Sequence, residues 1–202
     1  MENKMPEILA PAGGMEQLIA AVRCGADAVY LGTNGFNARQ NAKNFSDEEL
    51  SEAVSYCHAR NTAVHVTLNT LVFDDEIKKL YDTIEKIAMS GADAVIVQDI
   101  AVAKIIRECC PDIALHASTQ MTIHNTAGVQ AASKLGFSRA VLARELTLEE
   151  IQSIAKNSPI ETEVFVHGAL CTCVSGACYL SAMLGGRSGN RGYCAQPCRL
   201  NF

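Results

Sequence analysis

The pentapeptide Gly25-Ala26-Asp27-Ala28-Val29 recurs as Gly91-Ala92-Asp93-Ala94-Val95, and Gly136-Phe137-Ser138-Arg139-Ala140-Val141 is a weaker third copy. Each copy follows an amphipathic stretch and leads into a short apolar run. A glycine just past a helix permits the left-handed turn that stops it, and the apolar run then enters a sheet. A chain punctuated in this way is constrained to alternate helix and strand, the pattern of a parallel β/α fold. Strands are predicted near residues 7–11, 28–32, 63–69, 93–97, 114–120, 139–143 and 161–167. Between them, Ser46 with Glu49, Asp74 before an apolar-periodic run, and Thr147 with Glu150 fit helix-start patterns.

A doubly wound open sheet shares this alternation, but no Gly-rich dinucleotide fingerprint follows the first strand. The expected fold is therefore a (β/α)8, TIM-barrel-like arrangement. With 202 residues against the roughly 250 usual for such a barrel, it is expected to be incomplete. About seven strands are expected, with Leu200-Asn201-Phe202 starting an eighth. An open barrel edge exposes unpaired backbone groups, so pairing with another copy of the chain, or a disordered tail, is expected there. Residues 1–168 are assigned to the barrel portion and 169–202 to a Cys-rich segment packed on its mouth, with a further C-terminal region expected to be absent.

The 49% apolar and 19% charged composition, free of low-complexity tracts, is that of a globular protein with a packed core. No apolar run approaches the roughly 18 residues of a membrane span. The opening residues Met1 to Leu9 lack the basic-then-apolar layout of a signal peptide, so a cytoplasmic protein with reduced thiols is expected. A net charge of −5 gives no global attraction to nucleic acid. Arg187, Arg191 and Arg199 gather around the last cysteines, either as a solvated loop or as a local anion- or RNA-binding patch.

Barrel active sites sit at the carboxyl ends of the strands. In the third predicted strand His65, Thr67 and Asn69 alternate with Val64, Val66 and Leu68; in the fifth, His116, Ser118 and Gln120 alternate with Leu115, Ala117 and Thr119. The polar triplets are expected to point into the barrel. They form either a satisfied internal network or, for Asn69, His116 and Gln120 with His167, the polar wall of a catalytic site. Gln98, Asp99, Arg144 and Glu145 hold corresponding strand-end positions, Asp99 and Glu145 being read first as helix caps or first-turn charges.

Nine cysteines in a reducing compartment argue against a disulfide framework and for metal binding or redox chemistry. Cys24, Cys57, Cys109 and Cys110 lie in helix-like stretches and read as small buried hydrophobes. Cys171, Cys173, Cys178, Cys194 and Cys198 fall within 28 residues. Thiolates on irregular loops suit an iron–sulfur cluster. A Cys-x4-Cys and Cys-x3-Cys pair through Cys173, Cys178, Cys194 and Cys198 is also acceptable for structural zinc. No Cys-x3-Cys-x2-Cys motif of radical-SAM type is present.

From Glu163 to Ser181 the chain reads E-V-F-V-H-G-A-L-C-T-C-V-S-G-A-C-Y-L-S, which matches every fixed position of the signature E-x-F-x2-G-[SA]-[LIVM]-C-x4-G-x-C-x-[LIVM]-S. This stretch, with the opening Leu9-Ala10-Pro11-Ala12-Gly13 and the later Gly25-Ala26-Asp27-Ala28-Val29-Tyr30, resembles the U32 peptidases, the collagenase-like protease family. The resemblance covers the whole chain. It implies a protein of a family first classed as peptidases whose other members carry a [4Fe-4S] cluster and act in hydroxylation of tRNA, of ribosomal RNA or of a ubiquinone precursor, several drawing on prephenate. It also implies cluster ligands at Cys171, Cys178, Cys194 and Cys198, with Cys173 as an alternative, and a longer protein than these 202 residues. These residues alone are not expected to carry full activity, and aerobic handling is expected to strip or oxidise the cluster.

The leading expectation is an iron–sulfur RNA-hydroxylating enzyme with an RNA or small-molecule substrate, prephenate among the latter. A peptidase needs an activated nucleophile or a hydrolytic metal, and the sequence contains no H-E-x-x-H motif or nucleophile elbow. A third reading treats a cluster or zinc ion as a staple in an RNA- or partner-binding subunit.

Overall fold

The computed structural model describes residues 5–40 and 42–201. Seven strands form one parallel sheet in which each pairs with the next in chain order. They are β1 (Leu9–Pro11), β2 (Ala28–Gly32), β3 (Ala63–Leu68), β4 (Ala94–Val97), β5 (Ala114–Ala117), β6 (Arg139–Val141) and β7 (Glu161–Glu163). Helices α1 (Met15–Arg23), α2 (Asp47–His58), α3 (Ile77–Ser90), α4 (Ile100–Cys109), α5 (Thr126–Lys134) and α6 (Leu148–Asn157) connect them, and a short α7 (Leu180–Gly185) follows β7. A doubly wound sheet reverses strand order at a switch point. This one does not, so it winds in one sense, as a barrel does. The curl brings Glu7, just before β1, within 2.9 Å of Arg139 on β6.

The outward face of the sheet carries Val29, Leu31, Val64, Val66, Val95 and Leu115, packed in one core with Leu18, Leu50, Leu80, Ile106 and Val129 of the helices. The repeated pentapeptide has a clear physical role. Gly25, Gly91 and Gly136 all adopt positive φ, at 89°, 79° and 88°, a conformation glycine takes without a Cβ penalty. The following polar residue then pins the preceding strand. Asp27 accepts the backbone N–H of Ile8 at 2.8 Å, Asp93 accepts that of Val64 at 2.7 Å, and Ser138 donates to the Leu115 carbonyl at 3.1 Å.

Ser46 with Glu49 and Thr147 with Glu150 form reciprocal capping boxes at α2 and α6. Asp74 does not cap. It opens a 3-10 turn, Asp74–Glu76, that runs into α3, and Glu76 instead accepts the Phe73 N–H at 2.9 Å. Several strands are shorter than their apolar runs. Ser118 ends β5 by accepting the Gln120 N–H and starting a 3-10 turn at Thr119–Met121. Strand β7 ends at Glu163 because its partner Val141 is the last residue of β6. Val164 to His167 therefore have no ladder to join. Leu200 and Asn201 are not in a strand, and Phe202 lies outside the described residues.

Candidate functional site

Strand pairing aligns Thr67 with Ile96, Ile96 with His116 and His116 with Arg139 on one face, and Tyr30, His65 and Ala94 one rung away on the same face. These side chains face the barrel interior. The rings of His65 and His116 meet edge to face with centroids 4.7 Å apart, and each residue is only 5% exposed. Burial, reinforced by Arg139, pushes His65 down to about 4. Burial, then His65 and Arg139, pushes His116 down to about 3. Both are neutral imidazoles near pH 7, and neither Nδ1 has a hydrogen-bond partner. Arg139 is itself held by Glu161 at 2.6 Å, Glu7 at 2.9 Å and Glu163 at 3.6 Å, while burial raises the Glu163 carboxyl.

The mouth lies one turn further along. The Asn69 side-chain oxygen Oδ1 accepts the Ala38 N–H at 2.9 Å and so fixes the loop after β2. Asp99 is the N-cap of α4, accepting from Ala101 at 2.8 Å, and also takes the Val72 N–H at 3.1 Å. The side-chain oxygens of Gln98 and Gln120 are buried without a partner. His167, grouped with them by sequence, is exposed in the loop after β7.

Glu145 is not a cap, because Thr147 starts α6. Its carboxylate instead receives the backbone N–H of Ser175 at 2.6 Å and the Ser175 hydroxyl at 3.3 Å. Arg144 donates to the same hydroxyl at 3.3 Å, and Thr122 donates to the Ser175 carbonyl at 2.7 Å. Burial opposes ionisation of Glu145, yet its own and Ser175's N–H groups, the Ser175 hydroxyl and His124 together hold its carboxyl below the ordinary value. Ser175 is fully buried, and Gly176 lies so close to the Gln120 carbonyl that a Cβ would collide with it. The turn between Cys173 and Cys178 is thus seated on the loops after β5 and β6. No local sequence signal marks Glu145 for this role; 30 residues separate it from Ser175.

The second cysteine stretch is seated on the loops after β2 and β3. A Cβ at Gly192 would collide with the Asn37 carbonyl. Arg191 forms a two-pronged pair with Glu76 at 2.5 and 2.7 Å, donates to the Leu71 carbonyl, and lies 4.6 Å from the Phe73 ring centroid. Arg187 donates to the Tyr193 carbonyl at 3.0 Å, and Arg199 to the Leu170 carbonyl at 3.0 Å. The three arginines of the sequence patch therefore staple the segment itself.

These contacts also stitch the cysteine-bearing loops together. Arg199 to Leu170 joins the neighbours of Cys198 and Cys171, and the Ala195 N–H to the Ser181 hydroxyl at 2.9 Å joins the neighbours of Cys194 and Cys178. Desolvation, then the neighbouring Cys178 and Cys171, raise the Cys173 thiol pKa. Among the described residues no three His, Cys, Asp or Glu side chains converge as a metal-ligating group. The donor chemistry suits a cluster, since an iron–sulfur cluster is held by thiolates and these thiols are carried on irregular loops.

Ser175, Glu145 and His124, whose Nε2 is 3.6 Å from Glu145, superficially resemble a hydrolytic triad. The order is wrong for one. The carboxylate stands between serine and histidine, so no imidazole is placed to take the serine proton, and a fully buried hydroxyl meets no substrate. Among the described residues no helix is long and apolar enough to cross a membrane.

Residues 13–202 match the model of Peptidase family U32. The chain is 42% identical over 196 residues to the 23S rRNA 5-hydroxycytidine C2501 synthase of Escherichia coli K12, covering 97% of this chain and 29% of that protein. It is 40% identical over 198 residues to the tRNA hydroxylation protein P of Helicobacter pylori 26695, covering 97% of this chain and 47% of that protein. The chain thus spans less than half the length of either relative. A solved U32 peptidase superposes with a TM-score of 0.68 at 15% identity, over 81% of this chain and 70% of its own, which shows the shared fold.

Proposed function

The chain belongs to Peptidase family U32, and from that premise we propose that it forms the cluster-bearing barrel of an RNA-hydroxylating enzyme acting on a pyrimidine of tRNA or ribosomal RNA. The observation that carries this reading is the seating of the Cys173–Cys178 turn on the barrel mouth through Ser175, Glu145 and Gln120. It sets the thiols beside the strand ends, where barrel enzymes hold their substrates. Similarity of 40–42% to relatives named for RNA hydroxylation supports the same reaction class.

Cys171, Cys178, Cys194 and Cys198 would hold a [4Fe-4S] cluster, with Cys173 as the alternative ligand and zinc as the alternative metal. When bound, such a cluster supplies one-electron chemistry. The chain's own residues supply the rest: the Glu145–Ser175 tether orients the cysteine turn, the Arg191–Glu76 pair orients the second stretch, and the neutral His65–His116 pair fills the barrel interior without adding charge beside Arg139. The triad-like trio does not favour the peptidase reading.

The deciding experiment compares hydroxylated nucleosides in tRNA and ribosomal RNA from cells with and without the gene. Loss of one hydroxylated pyrimidine is expected, and unchanged nucleosides would overturn the reading. Protein purified without air should be brown, absorb near 400 nm and carry about four irons per chain; stoichiometric zinc would replace the cluster in this proposal.

A further inference from the structure

Two amide oxygens at the barrel mouth are buried without a partner, those of Gln98 after β4 and Gln120 after β5. A folded chain leaves few such acceptors unpaired, because desolvation without compensation is costly. Two at the same end of one barrel need a cause. Val97 pairs with Ala117, and the Ser118 N–H donates to the Val97 carbonyl at 2.8 Å. Gln98 therefore stands beside Ser118 and continues the inward face shared by Ile96 and His116. Gln120 follows two residues on, its backbone carbonyl against Gly176 in the cysteine turn. The carboxylates and the other amide of the mouth have partners, Asn69 with Ala38, Asp99 with Ala101 and Val72, Glu145 with Ser175, while the Thr33 hydroxyl after β2 is also buried without one.

Resting on the RNA-hydroxylation reading, we propose that Gln98 and Gln120 read the base: their amides hydrogen-bond the polar edge of a pyrimidine drawn into the mouth beneath the Cys173–Cys178 turn. Enzymes that act on a base take it out of the stack and recognise its pairing edge in a pocket. An amide fits that task because it offers a donor and an acceptor side by side. Cytosine presents an exocyclic N–H donor next to a ring-nitrogen acceptor; uracil presents a ring N–H donor next to a carbonyl acceptor. Turning the amide by half a revolution exchanges its two functions, so one side chain serves either pyrimidine. The base supplies the donor that each glutamine oxygen lacks.

The test measures binding of the protein to U6, C6 and an abasic hexamer of the same backbone by fluorescence anisotropy, for wild type and for Gln98→Leu, Gln120→Leu, Gln98→Glu and Gln120→Glu. Wild type is expected to prefer U6 and C6 over the abasic strand, and each leucine variant to lose about tenfold of that preference. Each near-isosteric glutamate variant, which accepts but cannot donate, is expected to lose about tenfold of the preference for both U6 and C6, since the acceptor that either base presents then meets a carboxylate oxygen. The glutamate pair keeps the test decisive if a leucine variant does not fold, as thermal melting will report. Wild-type preference unchanged in all folded variants overturns this inference and leaves RNA hydroxylation standing. Wild-type protein that does not distinguish bases from the abasic strand overturns both.

Discussion

The backbone N–H of Ser175 points at the Glu145 carboxylate from 2.6 Å, and through that bond a turn lying between two cysteines is tied to the loop after β6. A hydrogen bond to a charged acceptor contributes about 1.5–3 kcal/mol, so Glu145→Gln should weaken the seat while leaving the barrel folded. Hydrogen exchange at Ser175 and Gly176 is expected to speed up at least tenfold, and Cys173 and Cys178 should react faster with a thiol reagent. Unchanged exchange in the variant would show that the tether does not hold the turn.

Gly176 and Gly192 make a sharper prediction. Both adopt positive φ, at 77° and 79°, and at both a Cβ would collide with backbone, of Gln120 and Asn37 respectively. Backbone does not yield as a flexible side chain does, and the left-handed conformation adds its own cost of about 1 kcal/mol for alanine. Gly176→Ala and Gly192→Ala should each lift one cysteine stretch from the mouth, seen as faster limited proteolysis within residues 168–196. Gly186→Ala is the control: its φ is also positive, but nothing lies near its Cβ. It should leave cleavage near wild type.

How much of this was legible in the sequence differs by scale. The winding order follows from Gly25, Gly91 and Gly136, each of which stops a helix by its own local conformation. The ends of β5 and β7 were not legible, because they depend on Ser118 turning the chain and on β6 ending at Val141, a matter of neighbours rather than residue preference. The two histidines were placed on the inward face correctly by alternation, yet only packing reveals that they meet each other. Glu145 shows the limit. A carboxylate two residues before a capping threonine reads as a first-turn charge until the fold carries Ser175 to it.

Arg191 tests whether the arginines beside the cysteines serve the fold. Its planar group grips both Glu76 oxygens and also reaches the Leu71 carbonyl. A lysine offers a point charge without that fork. Arg191→Lys should therefore loosen the second cysteine stretch by about 1–2 kcal/mol without lowering the melting temperature of the barrel. Proteolysis within residues 186–196 is the measurement. If the variant instead weakens RNA binding with the segment still protected, Arg191 contacts phosphate directly.

His65 and His116 give the protein a distinctive pH dependence. Their folded values of about 4 and about 3 lie below the ordinary 6.5, so between pH 6.5 and about 4 the unfolded chain binds protons that the folded chain refuses. Stability is therefore full above pH 6.5 and falls as the pH drops through that window, by roughly 1.4 kcal/mol per pH unit for each histidine once the unfolded state is protonated. Glu163, whose carboxyl is raised, acts in the opposite sense, favouring the folded state as it takes up a proton. The lowered Glu76, Glu145 and Glu150 add their losses only below about 4.5, near the ordinary carboxylate value. The stretch from pH 6.5 to 5 thus belongs mainly to the histidines. Replacing His116 by leucine, the kind of residue barrel interiors prefer, removes one proton-refusing ring and an unpaired Nδ1. In urea titrations His116→Leu should match or exceed wild-type stability at pH 7.5 and lose about half as much on going to pH 5. An equal loss in the variant would place the acid sensitivity elsewhere.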